Sequence, residues 1–360
     1  MQQRVDRLRA ALAELGLPAL LVGAPSNRRY LSGFSGSYGW LVVTSSEAFI
    51  LTDSRYRLQS ANESPDFNLR EIVNPGRAMP DLVKEICGEL GIDRLGFEAS
   101  HMSVAEHSRV AAALGDAVEL VPTEGLIEGL RALKDAAEVA TLRRAIAITD
   151  EVFEAVAPRL RPDHTESEAA WMIEKEMRER GAGSASFSII VGAGLNAAHP
   201  HHHPGDETLG EGRTIVIDMG ALVDGYHADL TRTIVLGEPD SRFWEIYDIV
   251  LEAEKKAIAG IRPGILAHEV DALARDHIAA AGYGDCFGHG LGHGVGLDIH
   301  EGPSIRWVQP GVTSQPLQAG MVTTIEPGIY IPGWGGVRIE DVVLVTENGH
   351  EVLSKAVKLR

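Results

Sequence analysis

The strongest constraint on the fold is a pair of acidic residues inside an apolar β-hairpin at residues 214–236, TIVIDMGALVDGYHADLTRTIVL. The Asp-Gly dipeptide at 224–225 strongly favours a two-residue hairpin loop, and it lies between two apolar runs. This loop places Asp229 opposite Gly220, two residues along the strand from Asp218. The two carboxylates then share one face as diagonal neighbours. An acid in such a strand is costly to bury unless a cation or another partner compensates its charge.

A second hairpin repeats this arrangement at residues 323–345, TTIEPGIYIPGWGGVRIEDVVLV. A five-residue loop at Pro332–Gly336 pairs Glu340 with Gly328, two residues from Glu326, so two carboxylates again share a face. For a single acid, a salt bridge or an exposed position is the usual explanation. Two hairpins that each carry two acids among apolar neighbours favour a cation site instead.

Between the hairpins, residues 287–301, FGHGLGHGVGLDIHE, hold His289, His293 and His300 among closely spaced glycines. Glycine lets a backbone adopt positive φ and approach a ligand, so we expect this segment to lie near the carboxylates. Four carboxylates balance two divalent cations, and oxygen-rich ligation with one imidazole suits Mn²⁺, Co²⁺ or Zn²⁺. Such cations polarise a carbonyl and lower the pKa of water, which is hydrolytic chemistry.

The chain has 360 residues, more than one typical domain needs, so we expect two domains. In its first third, helical periodicity alternates with short apolar runs, which predicts a small α/β domain. The stretch Pro122–Lys134 breaks this alternation, and Asp135 followed by Glu138 fits the capping box of a long helix. The predicted domains are therefore residues 1–122 and 135–360.

Charge and hydropathy narrow the possible functions. A net charge of −18 is the opposite of the basic footprint of a duplex-binding protein. No apolar run reaches the roughly 18 residues that a membrane span needs. The N-terminal sequence MQQRVDRLRAALAELG is unlike a secretory signal, so we expect a cytoplasmic protein that binds neither nucleic acid nor membrane. Cys87 and Cys286 form no C-x-x-C pair, which argues against a disulfide framework or a thiolate metal site.

The motifs IDMG…HADLTRT, HGLGHGVGLDIHE, TTIEPGIY and VRIEDVVLV occur in this order within residues 135–360. Their order and spacing resemble the M24-type metallopeptidases with the pita-bread fold, which include aminopeptidase P, prolidase and methionine aminopeptidase. Residues 1–122, with YLSGFSGS and LTDSRY, resemble the creatinase-type N-terminal domain of Xaa-Pro peptidases. The resemblance implies an α/β (α+β) chain, with a creatinase-like N-terminal α/β domain and a C-terminal pita-bread domain. It also implies five ligands for two divalent metal ions, with Mn²⁺ as the first choice: Asp218, Asp229, His293, Glu326 and Glu340.

The same resemblance implies roles for residues around the metal ions. Glu326 would be both a ligand and the proton shuttle. Arg338 would form hydrogen bonds around the metal carboxylates. His289 and Tyr330 would line the substrate pocket.

Two histidines would steady the substrate carbonyl or the tetrahedral intermediate. His300 matches one of them. His201, in NAAHPHHHPGD, matches the other. Its neighbours leave that choice open: His199, His202 and His203.

Within the family, the sequence favours aminopeptidase P, which removes an N-terminal residue that precedes proline in a peptide. Microbial prolidases commonly carry an arginine four residues after the second histidine, where it binds the carboxylate of a dipeptide. Here Ser304 occupies that position, and Arg306 is near enough to substitute. Xaa-Pro dipeptidase (prolidase) is therefore the alternative. The resemblance further implies a homodimer.

Two other hypotheses belong to different functional classes. A non-catalytic pita-bread protein that only binds a partner would typically have lost metal ligands. A metal-free hydrolase of the creatinase type would lack the complete ligand set. This chain retains all five ligands and both histidines, which disfavours both hypotheses.

Overall fold

A computed structural model describes residues 1–73, 76–308, 312 and 314–359. The chain divides into two compact units, Met1–Arg131 and Ala132–Arg360. Both units mix helices and strands, which confirms the predicted α/β (α+β) class. The predicted domain limits, 1–122 and 135–360, stay predictions.

The first unit contains one mixed sheet of six strands, in the order β4-β3-β2-β1-β5-β6. Its strands are β1 (Ala19–Val22), β2 (Trp40–Thr44), β3 (Ala48–Asp53), β4 (Asn68–Ile72), β5 (Arg94–Glu98) and β6 (Glu119–Thr123). Its helices are α1 (Gln2–Glu14), α2 (Pro25–Ser32), α3 (Arg57–Glu63), α4 (Met79–Leu90), α5 (Val104–Leu114) and α6 (Leu126–Ala132). The helix α6 lies within Pro122–Lys134, the stretch in which the sequence predicted the boundary between the domains.

Apolar periodicity accounts for the packing of this unit. The helix α1 buries Val5, Leu8 and Leu12, which recur at helical spacing. Leu15, the next apolar residue at this spacing, lies beyond the end of the helix and is 53% exposed. An apolar cluster joins residues of α4 and α5 to the central strands of the sheet. Burial on one face of each helix therefore fixes the helices against the sheet.

The second unit begins with two long helices, and strands dominate its remainder. Its helices are α7 (Ala136–Val156), α8 (Glu166–Glu179), α9 (Ser241–Gly260) and α10 (Ala267–Ala280). The first seven of its strands are β7 (Ser184–Ala185), β8 (Ile190–Ala193), β9 (Thr214–Met219), β10 (Ala221–Val223), β11 (Tyr226–His227), β12 (Leu230–Val235) and β13 (Gly292–Gly294). The other strands are β14 (Glu301–Ile305), β15 (Val322–Ile325), β16 (Gly328–Ile331), β17 (Gly335–Arg338), β18 (Asp341–Thr346) and β19 (Gly349–Val352).

These strands form several small sheets. Their orders are β11-β10-β7, β12-β9-β8, β14-β13-β15-β18-β19 and β16-β17. One apolar cluster joins α7 and α8 to the sheet that contains β9. Another joins α9 and α10 to the sheets that contain β15 and β17. The helices thus cover the outer faces, and the polar faces of the hairpins remain for a site.

The first acidic hairpin forms in the predicted register. Asp224 and Gly225 have φ angles of 49° and 80°, the positive values that a two-residue loop of this type requires. Strand pairs on both sides keep a constant register, so that Asp218 lies across from Thr231. Asp229 is therefore diagonal to Asp218 on the same face.

The second acidic hairpin has a shorter loop than predicted. Ile331 pairs with Gly335, which leaves a loop of three residues. The prediction of a five-residue loop at Pro332–Gly336 was wrong, because its last two glycines belong to the strand. A Cβ on Gly336 would lie 2.1 Å from a neighbouring backbone oxygen, so close packing and not a turn explains this glycine.

The shorter loop moves the register by two residues. Gly328 pairs with Arg338 and not with Glu340 as predicted. The same register continues into the pairing of β15 with β18, which puts Glu326 directly across from Glu340. Side chains alternate with a period of two, so an error of two residues leaves both carboxylates on one face.

Within the described ranges, no helix is both long enough and apolar enough to cross a membrane. Cys87 is buried and Cys286 is half-buried, and both are free thiols. Neither cysteine therefore contributes a disulfide to the fold.

The predicted capping box forms at the start of α7. The Asp135 carboxylate accepts the backbone N–H groups of Ala137 and Glu138 at 2.9 Å each. In return, the Glu138 carboxylate accepts the backbone N–H of Asp135 at 3.0 Å. These bonds satisfy donors that a helix start otherwise leaves without partners.

Replacement of Asp135 by alanine is expected to lower the free energy of unfolding by about 1 kcal/mol, because two backbone donors lose their acceptor. A urea titration followed by far-UV circular dichroism measures this change. Glu154→Ala, at an exposed position of the same helix, is the matched control and should stay within about 0.5 kcal/mol of the parent protein. Equal stability of the two variants would contradict the role of the cap.

Candidate metal centre

Three carboxylates meet where the two hairpins adjoin. Asp218 belongs to β9, Asp229 follows β11, and Glu340 lies between β17 and β18. One oxygen of each carboxylate lies within 4.8 Å of the other two. Asp229 and Glu340 are only 6% and 1% exposed, so water screens little of their mutual repulsion.

The electrostatics of this cluster require a compensating charge. Burial, followed by repulsion from neighbouring carboxylates, raises the pKa of both Asp229 and Glu340 well above the ordinary range. Among the described residues, the buried atoms Asp218 Oδ1 and Glu340 Oε1 have no hydrogen-bond partner. Divalent cations would supply both the missing charge and the missing contacts. The residues therefore fit the metal ions that the resemblance implies.

His293, on β13, brings an imidazole to the carboxylates. Its Nε2 lies 3.3 Å from Glu326 Oε1 and 3.6 Å from Asp229 Oδ2. Its Nδ1 lies 3.1 Å from the carbonyl oxygen of Gly294 and donates to it. This second bond orients the ring so that Nε2 faces the centre, which is the usual arrangement of a metal-ligating histidine.

Glu326 differs electrostatically from the other acids. Burial alone would raise its pKa, but the hydrogen bond and positive charge of His293 outweigh burial and hold the pKa below the ordinary range. The same contact raises the pKa of His293, although burial opposes the shift. The Thr324 hydroxyl also donates to Glu326 Oε1 at 3.3 Å. Glu326 therefore stays ionised, whereas burial and like charge favour the protonated form of Asp229 and Glu340.

Two glycines allow β13 to lie very close to its neighbours. A Cβ on Gly292 would be 2.0 Å from the carbonyl oxygen of Thr324. A Cβ on Gly294 would be 2.0 Å from the carbonyl oxygen of Gly302. Neither glycine has positive φ. Of the two properties of glycine that suggested this segment, close approach of the backbone and not positive φ is the one that these two positions use.

Arg338 is buried and contacts the acids from the side. Its Nη2 donates to Asp218 Oδ2 at 2.5 Å, and its Nε donates to Thr231 Oγ1 at 3.0 Å. The Thr231 hydroxyl in turn donates to Glu340 Oε2 at 2.8 Å. Arg338 thus lies among the carboxylates, where the resemblance predicts it.

A chain of hydrogen bonds continues from Arg338 to His289. Arg338 Nη1 donates to the Tyr330 hydroxyl at 2.9 Å, and that hydroxyl lies 3.0 Å from His289 Nε2. His289 Nδ1 donates to the carbonyl oxygen of Gly290 at 2.8 Å, so Nε2 accepts the Tyr330 proton. Burial lowers the pKa of His289 and raises the pKa of Tyr330 to about 12. Both side chains are therefore uncharged at neutral pH.

A cavity of about 500 Å³ opens beside these residues, within the size range of small-molecule sites. Its wall contains nearly all the predicted site residues: His201, Asp218, Asp229, His289, His293, His300, Glu326, Arg338 and Glu340. Tyr330, predicted to line the pocket, lies behind this wall and contacts it through His289 and Arg338. Ser304 and Arg306 lie on the wall as well.

The two predicted accessory histidines both reach the cavity. The His300 ring packs edge-on against His293, with ring centroids 4.4 Å apart. Burial, and then the charge of His293, lowers the pKa of His300. His201 lies on an exposed loop, and its neighbours His202 and His203 line the same cavity. Position alone therefore does not distinguish His201 from its neighbours.

The sequence did not single out two pairs of side chains that hold the residues next to His201 and His300. His202 Nε2 lies 2.8 Å from Glu166 Oε2, and Lys134 Nζ lies 2.5 Å from Glu301 Oε1. The side chains of Lys134 and Glu301 are 1% and 6% exposed. No local pattern joins residues so far apart in the chain, and only the fold reveals these pairs.

Comparison with known proteins identifies the family. Residues 140–347 match the model of metallopeptidase family M24, and residues 4–133 match the creatinase/prolidase N-terminal domain. A solved Xaa-Pro dipeptidase from Bacillus anthracis is 39% identical with a TM-score of 0.94, and the match covers 99% of this chain and 98% of that one. An Xaa-Pro dipeptidase of Pyrococcus horikoshii is 35% identical over 99% of this chain and 97% of its own.

A solved X-Pro aminopeptidase from Thermotoga maritima is 34% identical with a TM-score of 0.88, and the match covers 97% of this chain and 98% of that one. The names of these relatives thus include both Xaa-Pro dipeptidase and X-Pro aminopeptidase, the two activities that the sequence left as alternatives. The family models match most of the chain in the predicted order. The chain belongs to metallopeptidase family M24 and carries an N-terminal domain of the creatinase/prolidase type.

Proposed function

We propose that this protein is a two-metal Xaa-Pro dipeptidase that hydrolyses the bond between an N-terminal residue and a C-terminal proline. The observation that carries the proposal is one cavity walled by five metal donors and two accessory histidines, in a chain of an M24 metallopeptidase. The sequence favoured aminopeptidase P, but the comparisons favour the alternative. The dipeptidase from Bacillus anthracis is more similar, with a TM-score of 0.94, than the Thermotoga aminopeptidase at 0.88.

Arg306 gives the dipeptidase proposal a physical basis. Its exposed side chain lines the cavity beside Ser304. A guanidinium binds a carboxylate through two parallel hydrogen bonds. In an Xaa-Pro dipeptide the free carboxylate lies on the proline itself, whereas a longer peptide carries an amide there. Arg306 would therefore favour the dipeptide.

We assign the metal ligands as Asp218, Asp229, His293, Glu326 and Glu340. When bound, two divalent cations polarise the scissile carbonyl and lower the pKa of a water molecule. The oxygen-rich donor set with one imidazole supports Mn²⁺ as the first choice, with Co²⁺ or Zn²⁺ as alternatives.

The side chains of the cavity supply the remaining chemistry. Glu326, which is ionised, accepts the proton of the attacking water and passes it to the leaving nitrogen of proline, the role that the family resemblance implies. That nitrogen carries no hydrogen in the peptide, so departure of proline depends on this proton. His201 and His300 donate to the oxygen on which negative charge develops.

The substrates of this proposal are proline-containing peptides. The homodimer stays a prediction from the family resemblance. The cytoplasmic location stays a prediction from the sequence.

Removal of the metal ions is expected to abolish activity and to lower the melting temperature, because the buried carboxylates then repel one another. Mn²⁺ restored at about one hundred times its dissociation constant should add about 2.7 kcal/mol of stability. Differential scanning calorimetry measures the shift. In Asp229→Ala and Glu340→Ala the shift and the activity should both disappear while the fold remains.

Glu347→Ala is the matched control for these variants, because Glu347 is an exposed acid outside the cavity. It should bind Mn²⁺ and turn over substrate like the parent protein. Full metal occupancy together with full activity in Asp229→Ala or Glu340→Ala would refute the ligand assignment.

Substrate length separates the two peptidase hypotheses. With Mn²⁺ restored, the protein is expected to release proline from an Xaa-Pro dipeptide and to leave an Xaa-Pro-Yaa tripeptide intact. Chromatographic detection of the products measures both reactions. Turnover of the tripeptide would make the protein an aminopeptidase P and would overturn the dipeptidase assignment.

Arg306→Ala is expected to raise the KM for an Xaa-Pro dipeptide about tenfold, because one charge-assisted hydrogen-bonded pair is lost. An Xaa-Pro amide provides the control, since it lacks the carboxylate and should respond little to the substitution. Steady-state kinetics on both substrates decides the matter. Equal losses on the acid and the amide would rule out recognition of the carboxylate by Arg306.

A further inference from the structure

The loop that carries His201 has two attachments beside that residue. On one side, the carbonyl oxygen of Pro200 accepts a hydrogen bond from Arg338 Nη1 at 3.3 Å. On the other side, His202 Nε2 lies 2.8 Å from Glu166 Oε2. The two neighbours of His201 in the chain are thus held by Arg338 on one side and by the buried carboxylate of Glu166 on the other.

Glu166 is fully buried at the first turn of α8. Its Oε1 accepts from the backbone N–H of Ala193 at 2.8 Å and from Asn196 Nδ2 at 2.9 Å. Its Oε2 accepts from His202 and from the backbone N–H of Gly205 at 3.1 Å. Burial alone would raise its pKa, but these four bonds together lower it.

All four donors belong to the segment 193–205 and none to α8 itself. A buried charge with this set of partners does not serve its own helix, because Thr165 already caps that helix through the backbone N–H of Glu168. Both oxygens are occupied, so the carboxylate fixes the segment at both of its ends. The position of His201 between His202 and Pro200 follows from this attachment.

We propose that Glu166 is a positioning residue for catalysis, which acts through His202 to hold His201 at the reacting carbonyl. This proposal rests on the proposed function, because it assigns His201 a part in peptide hydrolysis. A misplacement of about 1 Å in a catalytic group can cost about a hundredfold in rate. Loss of such a supporting contact typically costs about tenfold to a hundredfold.

Glu166→Gln tests the proposal with little change in volume. Its amide offers one acceptor and one donor group, whereas the site presents donors to both oxygens. One end of the segment must therefore lose its bonds. We expect kcat for an Xaa-Pro dipeptide to fall about tenfold or more, with a smaller change in KM and an unchanged content of bound Mn²⁺.

His202 variants supply the conservative rescue. His202→Ala removes the bond to Glu166 and should lower kcat to a similar extent. His202→Gln places an amide donor near the former Nε2 and should recover most of the loss. His199→Ala is the control, because His199 is an exposed histidine of the same loop that does not line the cavity, and it should leave kcat unchanged.

A double substitution decides whether Glu166 acts through His201. If it does, Glu166→Gln should have little further effect on kcat in a protein that already carries His201→Ala. A full, additive loss in that background would overturn the proposal. So would a kcat of Glu166→Gln within twofold of the parent value.

Hydrogen–deuterium exchange separates failure of this proposal from failure of the proposed function. Glu166→Gln should speed the exchange of backbone amides in residues 193–206, whatever the substrate is. Unchanged exchange would overturn the anchoring role of Glu166. A parent protein that hydrolyses neither dipeptide nor tripeptide with Mn²⁺ restored would overturn the proposed function, and with it the role of Glu166 in that reaction.

Discussion

The crowding of like charge in the metal centre is the constraint on which the C-terminal unit depends. Four acids adjoin there with little water to screen them: Asp218, Asp229, Glu326 and Glu340. Arg338 opposes the charge of Asp218, and His293 opposes that of Glu326. Asp229 and Glu340 keep strongly raised pKa values, so the protein's own cations are insufficient. Bound divalent cations would complete this balance, and metal binding would then contribute directly to the stability of the fold.

A second network of charged side chains holds the backbone at Glu340 and the side chain of Asp341. Arg232 is 2% exposed, and it donates to the carbonyl oxygen of Glu340 at 2.5 Å and to Asp341 Oδ1 at 2.8 Å. It also donates to the carbonyl oxygen of Ala356, while Lys358 donates to the other oxygen of Asp341. The C-terminal segment is therefore packed against the strand that carries a proposed ligand. Since buried ion pairs are costly unless every member is satisfied, the network fixes one geometry for Glu340.

The sequence predicted those features of the fold and of the site that depend on a local pattern of residues. The Asp-Gly loop sets the register of the first hairpin, so the positions of Asp218 and Asp229 followed from a few neighbouring residues. In the second hairpin the loop length was wrong, yet the face was right because the error was an even number of residues. The glycines around His293 predicted a close approach of the backbone, but the neighbouring strands that they approach are distant in sequence and could not be named in advance. The pairing of Lys134 with Glu301 depends wholly on the tertiary fold, so periodicity and spacing could not reveal it.

Two of the proposed metal ligands, Asp218 and His293, are held by a different kind of structure from the proposed accessory residue His201. Asp218 and His293 lie on paired strands, where backbone hydrogen bonds fix a side chain from both sides. His201 lies on a loop, which lacks such pairing and must be fixed by side chains instead. Buried bonds suit this task because they do not compete with water, and Glu166 holds that loop in this way. A hydrogen-bond donor to the reacting oxygen must keep its position about as strictly as a metal ligand does, because its effect depends on preorganised geometry. The Glu166 carboxylate and the bond from Arg338 to the Pro200 carbonyl oxygen therefore do for this loop what strand pairing does for Asp218 and His293.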